Sequence, residues 1–385
     1  MNQGMSLVAL AQELERQKTA VKDFIAPQGA IEMAVEAGEP VLQAVSTKTS
    51  TDGRVSSADR FQVPLKPHAH AQLATHLEIP QRYYDRMRAE RPGLLAENVN
   101  AWLHRDADAN NTKRMVRTLD GQARAFLSSS YRPLDNHELA DAVLPILLQT
   151  KAQIVSTAIT ETRMYVKAIL PSLSDEIPEG LQLGVGHNFM RKDVVVAGLV
   201  VSNSEVGAGA VRVEPMVFKT RCTNLAIIAE SKMKRHHVGR DRGLDVDGSS
   251  IEELLRDETK HARDVAFWNM VRDVVTSAFD PKVFRSHVER MRQAAEEPIE
   301  SDDLLRVVEV TSKKLAVPES LNNSILKQLA GGADLSRWGL VNAYTAVAND
   351  AAEYETSTML ERAGGEILAL PKRDWQLIAQ ASKAA

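Results

Sequence analysis

Two β-favouring runs around a glycine-bearing turn, followed by a cationic exit, constrain this chain more than any other stretch. Residues 194–201 are almost wholly apolar and rich in valine, and 210–219 form a second run with rough alternation. SNSEVGAGA joins them, with Gly207 and Gly209 as turn residues. Strand-length apolar runs bounded by turn residues predict an antiparallel hairpin buried on at least one face. Cys222 and Asn224 follow, then a basic segment carrying Lys232, Lys234, Arg235, His236, His237, Arg240 and Arg242. Residues 193–243 therefore read as the working surface.

Residues 6–19 have helical periodicity at Leu7, Leu10, Ala11 and Leu14, and Pro27 interrupts the helix. A strand is predicted at 40–46, and 47–59 reads as a polar, Ser-rich loop. Helices are predicted at 68–77, 81–90 and 94–104, set off by Pro67, Pro80 and Pro92-Gly93. Residues 113–118 and 122–127 flank Asp120-Gly121, a pair suited to the positive φ angles of a type I′ hairpin turn. That register would bring Arg114 near Arg124. Asp135 and Glu138 have capping-box spacing ahead of an amphipathic helix at 137–148. Strands follow at 153–159 and 164–170, with a Pro-containing loop at 173–179. After residue 248 no β pattern returns. A helix capped by Ser249 or Ser250 runs to about 278, with Glu252 and Glu253 in its first turn, and Pro281 opens the next.

Strands grouped in the middle of the chain, rather than alternating with helices, predict an α+β fold. It has a central antiparallel β core, helical N-terminal additions and an all-helical C-terminal region. The expected divisions are 1–110, mixed and mainly helical; 111–245, the β core with one helix; and 246–385, helical.

Composition narrows the function classes. With a net charge of −4, nucleic-acid binding would need a local basic patch. The single cysteine, Cys222, rules out an intrachain disulfide and fits a reducing compartment, so a cytoplasmic location is expected. The first residues lack a secretory signal pattern, and no apolar run approaches the roughly 20 residues that span a bilayer. Neither GxxxxGK[ST] nor GxGxxG occurs, and no cofactor is expected. Cys222, His236 and His237 fall short of a four-ligand zinc pattern. His68 and His70 lie two apart and face different ways on a helix. Cys222 with His237 and Asn224 is a chemically possible nucleophilic triad, but sequence cannot bring the three together. Tyr83, Tyr84, Phe126 and Tyr131 could stack on unpaired bases beside arginines. Trp268, Trp338 and Trp375 read as core.

Several motifs carry a family resemblance: LSSSYRPLDNHEL (127–139), VVSNSEVGAGAVRV (200–213), Cys222-x-Asn224 with its basic, His-containing sequel, and WGLVNAYTAVAND (338–350). With AQLATHLEIPQRYYDRM and LLAENVNAWL they resemble the phage/plasmid-like protein family, a domain of unknown function carried by phages, prophages and conjugative plasmids. The resemblance implies a mobile-element setting but no catalytic residues. By analogy with single-strand annealing proteins, that setting favours DNA transactions.

The expected function is non-enzymatic DNA binding, with single-strand annealing or recombination as the role in view, by a chain that forms homo-oligomers and has no membrane partner. The phosphate-binding set is Lys113, Arg114, Arg117, Arg124, Lys219, Arg221, Lys232, Lys234, Arg235, His236, His237, Arg240 and Arg242. The alternatives are an enzyme built on Cys222, Asn224 and His237, and a protein that binds a host defence factor.

Overall fold

The computed structural model describes residues 4–46, 48–51, 54–56, 59–105, 112–178, 192–220, 225–228, 233–235, 257–332 and 334–381. Helix α1 (Leu7–Ala20) is capped by Ser6, whose Oγ accepts from the Ala9 amide at 3.2 Å. β1 (Val21–Pro27) follows directly, so Pro27 ends a strand where the sequence suggested a broken helix. Its ring costs the sheet little, because a proline at a strand end removes one terminal donor. β2 (Glu32–Glu36), β3 (Glu39–Val45), β4 (Lys48–Thr51), β5 (Arg54–Ser56) and β6 (Arg60–Pro64) come next. The expected polar loop thus contains two short strands. Helices α2 (Pro67–His76), α3 (Gln81–Glu90) and α4 (Pro92–Leu103) lead to the hairpin of β7 (Lys113–Leu119) and β8 (Gln122–Ser128).

These strands form two sheets. One has the order β5-β4-β1-β7-β8, and the other β2-β3-β6. The larger sheet draws strands from both sides of residue 110. Asp120 and Gly121 both have positive φ, 54° and 73°, as a two-residue hairpin turn requires.

The third sheet is the architectural centre. Helix α5 (Asn136–Gln149) starts at the Asp135–Glu138 capping box. β9 (Gln153–Ile159), β10 (Met164–Pro178), β11 (Lys192–Asn203) and β12 (Val211–Lys219) then run antiparallel in sequence order. β13 (Leu225–Ile227) and β14 (Met233–Arg235) share the outer edge of β12. β10 is longer than its apolar run, because a register shift between Leu170 and Ser174 absorbs Pro171. Both faces of the β11–β12 hairpin are buried. Leu199, Val201, Val211 and Val213 pack toward α1 and α5, while Val196, Val200, Met216 and Phe218 form a cluster on the opposite face. Each fully buried side chain of this kind stabilises the fold by about 1.5–3 kcal/mol.

The C-terminal region is helical, as expected: α6 (Asp257–Ser277), α7 (Pro281–Ala295), α8 (Leu304–Lys314), α9 (Asn322–Gly332), α10 (Arg337–Asp350), α11 (Tyr354–Ala369) and α12 (Lys372–Ala379). The expected cap of α6 lies outside the described residues. Trp338, Tyr344 and Trp375 are buried in the core of this region, and Trp268 is buried beneath α5. α11 crosses the central sheet. Tyr354 Oη meets Ser156 Oγ of β9 at 2.7 Å, Glu361 pairs with Lys167 of β10, and Arg362 pairs with Glu214 of β12. At the far edge a Cβ on Gly365 would lie 1.7 Å from the Ile227 carbonyl oxygen, so only glycine permits this helix–strand approach. Among the described residues, no helix is long and apolar enough to cross a membrane.

Candidate functional site

The β11–β12 turn is not free. It is plugged into the N-terminal half of the molecule, and the plug consumes two of the expected phosphate-binding cations. Glu205 leaves the turn and lies between Arg124 and the start of α5. Its Oε2 accepts from Arg124 Nη2 at 2.6 Å, and its Oε1 from the Asn136 amide at 2.6 Å. An amide at a helix start and a guanidinium are a natural pair of donors for a carboxylate. Arg117, only 1% exposed, donates to Asp135 Oδ1 and, at 3.3 Å, to the Glu205 carbonyl, and lies 3.3 Å from Asp23 Oδ1. The neighbouring turn atoms are held as well. Gln72 Nε2 donates to the Val206 carbonyl at 2.7 Å, Tyr131 Oη to the Ser204 carbonyl at 3.1 Å, and Asn203 Nδ2 to the Leu134 carbonyl at 2.7 Å. Gly207 needs its φ of 77° and its missing side chain, since a Cβ would sit 2.8 Å from Leu127.

The expectation that Arg117 and Arg124 hold phosphates is therefore corrected. Both are buried and committed to carboxylates, a state that satisfies charges taken out of water. The expected closeness of Arg114 and Arg124 is corrected too. Arg114 faces Ser128, because a two-residue turn at Asp120-Gly121 sets position 124 near Arg117 rather than Arg114, and the register shift after Arg117 moves Arg124 out of the pairing altogether. Arg114 is half-buried and donates from Nε to Gln28 Oε1 at 3.0 Å. Lys113 is exposed and Lys219 is buried at the end of β12. Lys234 and Arg235 lie on β14, opposite Arg212 and Val211. Arg221, Lys232, His236, His237, Arg240 and Arg242 lie outside the described residues, as do Cys222 and Asn224 of the nucleophilic alternative.

The histidines of α2 go to separate partners. His68 Nε2 meets the Val206 carbonyl, His70 Nδ1 the Tyr84 hydroxyl, and His76 Nε2 the Gln28 side chain. Among the described residues, no group of three or more His, Cys, Asp or Glu could hold a metal ion.

The plug has a defined electrostatic asymmetry. Burial raises Asp135, but the charge and hydrogen bond of Arg117 outweigh it and hold the carboxyl below its ordinary range. Asp23 goes the other way. Burial pushes it from 3.8 up to about 6 despite Arg117, and the charges of Asp135 and Glu205 add to the rise. A carboxyl with a raised folded value binds its proton more tightly when native. Its contribution to stability is complete below the unfolded value of 3.8 and is lost as pH rises through about 6. Asp23→Asn cannot ionise and should escape that loss. The variant is expected to gain stability relative to the parent between about pH 4 and 7, read as urea midpoints across that range. Parallel profiles for the two proteins would remove Asp23 as the titrating group.

An exposed surface elsewhere does carry aromatics among arginines. On α3, Tyr84 is buried with Met87, whereas Tyr83 is 48% exposed and Arg82 and Arg86 project from the outer face. On α4, Leu95, Val99 and Leu103 face inward and Trp102 is 42% exposed. The Arg105 guanidinium lies 5.2 Å from the Trp102 ring centroid, in cation–π range. Residues 81–105 hold five arginines against Asp85, Glu90 and Glu97. The candidate stackers thus divide: Tyr83 is open, while Tyr84 and Phe126 are core and Tyr131 is tied to the turn. Sequence reading passed over Trp102. Its signal was a tryptophan one residue before an apolar helix position and three before an arginine.

In comparisons with protein-family models, curated proteins and solved structures, nothing matches the chain.

Proposed function

We propose that the chain is a non-enzymatic DNA-binding protein that engages single strands through the outer faces of α3 and α4. One observation carries the reading: Trp102 and Tyr83 are exposed large aromatics on a segment with five arginines. Exposed aromatic faces accept any base, and arginines nearby answer the phosphates. The β7–β8 hairpin contributes less than its sequence implied, because Arg117 and Arg124 are already paired. Residues 221–242 would add charge, with six Lys and Arg against Glu230 and Asp241, whereas Lys219 is buried and does not contribute. A mobile-element setting, which rests on the sequence resemblance, and self-association, which rests on the analogy with single-strand annealing proteins, are part of the same reading.

Fluorescence anisotropy with a labelled oligothymidine and a duplex of equal length tests the proposal. Binding should favour the single strand and weaken steeply with added salt, as counterion release requires. Trp102→Ala should weaken it by roughly 5- to 150-fold, the range expected for loss of one stacked base. Intrinsic fluorescence gives a second readout, because Trp268, Trp338 and Trp375 are buried and Trp102 is not. Quenching on binding should vanish in the variant. No binding at low salt, or binding indifferent to Trp102, ends this reading.

A further inference from the structure

An open cleft of about 440 Å³ separates the start of β10 from one face of α11. That is a common size for a small-ligand site. Glu355, Met359, Arg362 and Glu366 recur along α11 at three- or four-residue spacing and line one wall. Arg163 and Tyr165 of the facing wall, Leu315 after α8 and Glu353 just ahead of α11 also line it.

Some charges in the cleft are already spent. Arg362 donates to both oxygens of Glu214, at 3.1 and 2.6 Å. Glu355 accepts the hydroxyls of Thr160 and Thr162, at 2.9 and 2.5 Å. Others are spent only in part. Arg163 donates to the Ala208 carbonyl and to the Tyr165 hydroxyl, and its buried Nε has no acceptor among the described residues. Gly209 seats that guanidinium, since a Cβ there would lie 3.0 Å from Arg163 Nη2. Arg163 is thus fixed by the same turn that carries Glu205. Glu366 at the other end of the stripe has no ion-pair partner among the described residues. Eleven residues of helix separate Glu355, at the Arg163 end, from Glu366, an axial distance of roughly 16 Å.

A ligand of a single charge would answer only one of these ends. We infer that the cleft binds a short zwitterionic peptide, with its carboxylate on Arg163, its amine toward Glu366, and apolar side chains over Met359 and Leu315. Extended chain advances about 3.3–3.6 Å per residue, so about five residues span the stripe. The inference is independent of DNA binding.

Isothermal titration calorimetry of the full chain with the pentapeptide Leu-Ala-Ala-Ala-Leu bearing free termini is the test, beside its N-acetylated and C-amidated forms. The free peptide should bind, and blocking either end should weaken it on the order of tenfold, as loss of one charge-assisted hydrogen bond predicts. Glu366→Gln should bind the free and N-acetylated forms alike while still discriminating the amide. Arg163→Gln should show the reverse. Glu366→Gln leaves the turn untouched, so it keeps the test open even if Arg163→Gln unfolds. Absence of heat at millimolar peptide, or equal binding of all three forms, overturns the inference.

Discussion

Arg117→Met is expected to destabilise the protein by about 3–5 kcal/mol, enough to unfold a marginally stable chain. The cause is what the substitution leaves behind. Asp23 and Asp135 would keep their burial and lose the guanidinium between them, and the Glu205 carbonyl would lose a donor. An uncompensated buried charge costs far more than the intact pair contributes. Adding Asp23→Asn should recover part of the loss, because one unanswered carboxylate is then neutral. Arg117→Lys should fall between, since an ammonium keeps the charge but cannot reach several acceptors with a planar fork. Urea unfolding reads all three variants. A loss below about 1 kcal/mol for Arg117→Met would mean that water reaches the site and screens it.

The second large effect belongs to Lys167 and Glu361, which are 0% and 1% exposed and meet at 2.5 Å. Lys167 also lies 4.6 Å from the Tyr354 ring centroid. Glu361→Leu or Lys167→Met alone should each cost about 3–5 kcal/mol, whereas the double variant should return close to the parent or exceed it. The contrast is diagnostic, because simple loss of packing would make the two changes add. Lys167→Met should also become pH-dependent. Burial already raises Glu361 against the pull of Lys167, and without the lysine the rise is larger. Its carboxyl would then stay protonated in the fold, so the variant should be nearest the parent in acid and fall away as pH rises through the raised value. Because the pair joins β10 to α11, its loss should be felt first where the helical region meets the sheet.

Both predictions concern charges that an ordinary reading of the sequence would place in solvent. Arg117 sits in KRMVRTL, and nothing nearby in the chain announces that it is enclosed. The clue was in the partner. Glu205 is the lone charge in an otherwise small, uncharged turn, and a charge there calls for a counter-charge. Residues that the sequence located well have local causes. The limits of α3 follow from Pro80 and Pro92, the start of α5 from the Asp135–Glu138 box, and the β7–β8 turn from Asp120-Gly121. Strands with weak local signals were missed. β4 and β5 are short and polar, β1 ends in proline, and the second half of β10 follows Pro171.

Residue order alone determined the α+β class, the central hairpin, the helix boundaries of the N-terminal half and the helical character of the last third. Capping, turn chemistry and side-chain periodicity act within a few residues, so those features survive without coordinates. Tertiary structure decided which charges are spent internally and which face water. Arg117, Arg124 and Lys167 find their carboxylates on other elements, up to 194 residues away along the chain. Burial depends on which surfaces meet, and no local pattern encodes that. The same principle left Trp102 and Tyr83 outside, on helices whose inner faces were already filled.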